Sequence, residues 1–107
     1  MINFAKERVC IGTEIKLNLN IEPVGAFTMD SYDWVAEVFC NSQKSLIINK
    51  SEAIKVDESN YTLLIDTNKV GIGVLKCKVT AQFPDADFPD MTRTEVNTIN
   101  TEIEIIR

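Results

Sequence analysis

Along residues 74–83 the chain alternates without a break, with Leu75, Cys77, Val79, Ala81 and Phe83 on one side and Lys76, Lys78, Thr80 and Gln82 on the other. A strand points successive side chains to opposite faces, whereas a helix repeats every 3.6 residues or so, so this segment hides its apolar set only as a strand with one buried face. The pattern recurs at 14–22, where Ile15, Leu17, Leu19 and Ile21 alternate with Lys16, Asn18, Asn20 and Glu22. One-sided strands need a second apolar layer to face, which commits the chain to packed sheets.

The remaining segments supply that layer. Residues 32–40, YDWVAEVFC, are β-branched or aromatic on both sides, which predicts a central strand covered from two directions, with Tyr32, Trp34, Ala36, Val38 and Cys40 on one face. Residues 46–49, 53–56 and 61–65 read as short strands, the last with Tyr61, Leu63 and Ile65 inward. Asn41-Ser42-Gln43 and Asp66-Thr67-Asn68-Lys69 read as turns, and Gly71 and Gly73 mark a bend or bulge around Ile72. Residues 92–106, rich in threonine and isoleucine, read as one long strand or two short ones.

No segment carries a helical period, and 107 residues suit one domain. The expected fold is all-β, an immunoglobulin-like β-sandwich of seven or eight antiparallel strands spanning 1–107, with a small barrel as the alternative. The order Cys10, Trp34, Cys77 echoes the immunoglobulin signature, but Leu75 stands where a tyrosine would precede the second cysteine, so the architecture is expected without the antibody-type details. Three cysteines are an odd number, too few for a stapled scaffold, and are expected to be reduced and packed in strands.

The same composition narrows function. The chain has no histidine, which removes Ser-His-Asp and Cys-His catalysis, and a domain this small rarely holds a sugar-sized cleft for paired carboxylates, so no enzyme is expected. A net charge of -5 without a basic stripe argues against nucleic acid. Apolar runs no longer than Leu46-Ile47-Ile48 leave no membrane span and no leader, so the chain is expected to begin at Met1. Tyr32, Trp34, Phe39, Tyr61 and Phe83 all fall inside strands, which predicts core packing rather than a sugar-stacking platform.

PDADFPD, residues 84–90, breaks the strand pattern. Asp85, Asp87 and Asp90 are hard oxygen ligands of the kind that suit Ca²⁺, but no central glycine or closing glutamate organises them as in an EF-hand. The expectation is an acidic connector without metal or cofactor, stiffened by Pro84 and Pro89. Phe88 stands among the acids as a candidate interface anchor, and Arg93 and Glu95 alternate with threonines toward solvent or a neighbouring subunit.

GTEIKLNLNIEP, DSYDWVAEVF, KSEAIKVDESNYTLLIDTNKVGIGVLKCKVTA and PDADFPDMTRTEV together resemble small virion proteins of Bacteroides-infecting, crAss-like bacteriophages and related prophages, over about residues 12–106. That resemblance implies a compact immunoglobulin-like unit, similar to the N-terminal module of phage baseplate and fibre proteins, which decorates a capsid or anchors a head fibre. It implies a virion location on the capsid surface, assembly in a reducing host cytoplasm, and the major capsid protein or a head-fibre protein as partner. Many copies per particle are expected, with self-association left open. With nothing after Arg107, a stand-alone attachment role is expected rather than receptor binding. The contact set is expected at Asp85, Asp87, Phe88, Asp90, Met91 and Arg93. A carbohydrate-binding or adhesion module and a small metal-dependent enzyme remain the alternatives.

Overall fold

The computed structural model describes residues 7–20, 32–41 and 44–107. Among these residues lie eight strands: β1 (Glu7–Cys10), β2 (Glu14–Asn20), β3 (Asp33–Phe39), β4 (Ser45–Asn49), β5 (Ile54–Asp57), β6 (Asn60–Asp66), β7 (Gly73–Pro84) and β8 (Thr92–Ile106). The expected continuation of β2 to Glu22 and the turn at residues 42–43 lie outside the described residues.

The alternation in β7 fixes the centre of the molecule. Leu75, Cys77, Val79, Ala81 and Phe83 are all at most 4% exposed, and β7 lies between β3 and β8 in a five-stranded sheet ordered β1-β8-β7-β3-β4. Against it packs a three-stranded sheet, β2-β6-β5, which sends in Leu19, Tyr61, Leu63 and Ile65. The ladders form two open sheets, not a closed barrel, and the steps from β2 to β3 and from β6 to β7 cross between them. That connectivity is the Greek-key pattern of immunoglobulin-type sandwiches. Trp34 sits on β3, where such a sandwich places its buried tryptophan, and meets Tyr61 of the opposite sheet edge-on, at 5.2 Å and 83°.

Several expectations need correction. The strands are not all antiparallel, because β1 runs parallel to β8, from Glu7 beside Ile103 to Cys10 beside Ile106. The reason lies at the corner that follows β1. The chain turns through Ile11, Gly12 and Thr13 into β2 of the other sheet, and the buried Thr67 hydroxyl holds this corner by accepting from the Gly12 amide at 2.9 Å and donating to the Thr13 carbonyl at 2.8 Å. A strand that enters the corner in this direction runs beside the end of β8 in the same sense. In β3, Trp34, Ala36 and Val38 are buried while Val35, Glu37 and Phe39 are half-exposed, so the strand is central within its sheet but roofed on one face only.

Residues 92–106 form a single strand with a break in register. Val74 pairs with Glu104 and Lys76 with Asn100, so Leu75 alone is opposed by three residues. The extra length is absorbed at Glu102, whose φ is 63°, while the Thr101 hydroxyl donates to the Leu75 carbonyl at 2.8 Å. Such a bulge re-aims the chain. Residues 96–100 are exposed, whereas Ile105 is completely buried.

The cysteines are three free thiols. Cys40 and Cys77 are buried as expected, but Cys10 is exposed, because β1 is an edge strand with only Val9 partly turned in. Burial raises the Cys40 thiol and pushes Cys77 up to about 11. The sign follows from linkage: above pH 9 or so the unfolded chain releases the Cys77 proton while the folded chain keeps it, so this group subtracts stability as pH rises toward 11. At pH 8 a disulfide-exchange reagent is expected to titrate one thiol, Cys10, quickly in the native protein and all three after denaturation. Fast reaction of Cys77 in the native state would contradict its place in the core.

Candidate contact surface

The loop at residues 85–91 joins the two longest strands, β7 and β8, and is closed by its own backbone. The Asp85 amide donates to the Met91 carbonyl at 2.9 Å, Phe88 N–H reaches the Asp85 carbonyl at 3.3 Å, and Met91 N–H reaches the Phe88 carbonyl at 2.8 Å. Asp85 also accepts from the Asp87 amide through Oδ1 at 3.0 Å, a side-chain turn characteristic of aspartate. Pro84 and Pro89 fix two further φ angles, so the loop has little freedom left to lose.

Its base is tied to the core through Arg93. Antiparallel register sets Phe83 opposite Arg93, and the guanidinium lies over the Phe83 ring at 5.0 Å from its centroid. Arg93 Nε stands 3.5 Å from Asp85 Oδ2 and its Nη1 donates to Glu95 Oε2 at 3.0 Å. Phe83 also packs on Tyr32, with ring centroids 4.3 Å apart. The Tyr32 hydroxyl is held above its ordinary pKa by burial first, then by the Glu95 carboxylate and by Tyr61.

The expected contact residues therefore divide. Asp85 and Arg93 face each other within the hairpin and tie the loop to its base. Phe88 at 44% and Met91 at 63% exposure stand outward with Asp87 and Asp90, the Asp90 carbonyl accepting from the Thr92 hydroxyl. Met91 keeps a φ of 59°, a left-handed conformation uncommon for a side-chain-bearing residue, so its position is set by the turn. Among the described residues no three metal-ligating side chains converge, those of this loop included.

Elsewhere the surface is less specific. A cleft of about 780 Å³ is bordered by Trp34, Lys50, Lys55, Gln82 and the carboxylate of Asp33, which already accepts from the Trp34 amide. Among the described residues Asp33 is the one carboxylate that lines it. Tyr32, Trp34, Tyr61 and Phe83 are at most 4% exposed and Phe39 is half-exposed, so these five rings form no open row on which a sugar could stack. Comparison with protein-family models, curated proteins and solved structures finds no match for this chain.

The division within the loop is testable by stability. Asp85→Ala removes both the turn acceptor and the partner of Arg93, and is expected to lower unfolding free energy by about 0.5–1.5 kcal/mol. Phe88→Ala, at an exposed tip, is expected to change it by less than about 0.5 kcal/mol. Urea denaturation that reverses this order would place Phe88, not Asp85, in the loop's framework.

Proposed function

We propose that this protein is a non-enzymatic structural subunit of a phage particle, a capsid-decorating or head-fibre-attaching domain that docks on other virion proteins through the β7–β8 loop. The observation that carries the reading is a stiff hairpin tip with two large apolar side chains, Phe88 and Met91, turned to solvent and flanked by acids. A loop already closed by its own hydrogen bonds loses little entropy on docking, and an aromatic side chain seated in a partner's pocket is the usual dominant contact of an interface. The sequence resemblance supplies the particle, with the major capsid protein or a head-fibre protein as the surface bound. Asp87 and Asp90 form an acidic rim suited to steering toward a basic partner rather than to holding the complex.

Virions stripped of this subunit and titrated with purified protein test the proposal. Phe88→Ala is expected to weaken association by more than about 1 kcal/mol, roughly fivefold, with the fold unchanged. Asp87→Asn is expected to cost less than about 1 kcal/mol. Loss of binding on Ca²⁺ removal, with Phe88→Ala silent, would overturn the docking role and make the loop a metal site.

A further inference from the structure

The open edges of the two sheets are not alike. Edge strands expose unpaired backbone groups, and proteins usually guard them with charges, prolines or bulges. β1 carries Glu7 and Arg8, β2 carries Glu14 and Lys16, and β5 carries Lys55 and Asp57 together with a register shift. β4 reads Ser45-Leu46-Ile47-Ile48-Asn49, with no charge, proline, glycine or bulge. Among the described residues it pairs on one side with β3 and has no ladder partner on the other. Ile47, at its midpoint, is 58% exposed.

We propose that two copies of the chain associate by antiparallel pairing of their β4 edges about a two-fold axis through Ile47, which joins two five-stranded sheets into one of ten strands. The sequence of β4 is self-complementary under that axis. Ile47 faces its own counterpart, Leu46 faces Ile48, and Ser45 faces Asn49, so apolar side chains meet in the middle and polar ones at both ends. Beside the edge a cleft of about 540 Å³ is bordered by apolar Leu46, Ile48 and Leu64 and by charged Glu14, Lys16 and Glu52, and in the pair the second copy's Leu46 and Ile48 turn to that same side of the sheet.

Electrostatics permit the pairing. Glu37 stands next to Ile47 in its cross-strand row, so the two Glu37 side chains end up three strand spacings apart, about 14 Å. That exceeds the screening length of about 8 Å at physiological salt. Lys44 of one copy falls opposite Lys50 of the other, but the Lys50 ammonium is folded back onto the Tyr32 carbonyl of its own chain at 2.6 Å. Asn49 is held by the Glu52 carboxylate at 2.8 Å, which fixes the end of the strand. A five-residue edge is a small interface, so association is expected to be concentration-dependent.

The test needs no particle, so its outcome is separable from that of the docking proposal. Analytical ultracentrifugation of the purified chain is expected to show a shift from monomer toward dimer as concentration rises to about 1 mM. Ile47→Lys is expected to abolish the shift while leaving Trp34 emission unchanged, because position 47 faces solvent in the monomer. In a Cys10→Ser background, Ile47→Cys is expected to oxidise to a linked dimer, since the axis brings the two positions within disulfide reach. Ser45→Cys, which faces Asn49 rather than itself, is expected to link poorly. A monomer throughout the range, a dimer indifferent to Ile47→Lys, or Ser45→Cys linking as readily as Ile47→Cys would each overturn the proposal, the last two by showing that another surface pairs.

Discussion

Strand β7 holds five side chains, Leu75 to Phe83, against the opposite sheet, and a slip of one residue against either neighbour would turn all five to water. At roughly 1.5–3 kcal/mol each for Leu75, Val79 and Phe83, such a slip costs an amount comparable with the whole stability of a typical small domain. The register of β3 and β8 follows from that of β7. Because Trp34 pairs with Ala81 and Val38 with Cys77, the inward face of β3 is set by the same alternation, and Trp34 is delivered to Tyr61.

The same register carries order from the core to the surface. Phe83 is the last buried residue of β7, and its ring contacts both Tyr32 and the Arg93 guanidinium. Arg93 reaches Asp85, and Asp85 holds the Asp87 amide, so each contact in the series is set by the one before it. The Asp85–Arg93 ion pair is partly exposed and contributes little to global stability alone. Its effect is local, and it leaves Phe88 and Met91 outward on a tip that is already shaped, which is the property a docking surface needs.

Much of this was legible in the sequence where one strand face meets the core and the other meets water. β2, β6 and β7 show the two-residue period for that reason, and their inward residues are those the alternation selects. β1 left no such trace, since three of its four residues are exposed and backbone pairing with β8 holds it. The Thr67 latch was illegible for another reason: its partners lie 54 and 55 residues away, and nothing in an Asp-Thr-Asn-Lys turn announces a buried hydroxyl. Stiffness of the β7–β8 loop could be read from Pro84 and Pro89, but the pairing of Asp85 with Arg93 depends on hairpin register, which composition does not specify. Likewise, the unguarded character of β4 emerges only once the strand order makes it an edge.

Residue-resolved hydrogen exchange under native conditions tests the dependence on β7 most directly. Amides that open only with the whole molecule exchange last, and those at edges exchange through local openings. The account predicts that the Leu75 to Phe83 amides paired to β3 and β8 are the slowest, at the free energy of global unfolding, with β5 amides exchanging much faster. Exchange of the β7 amides at the rate of the β5 edge, with the slow set elsewhere, would contradict it.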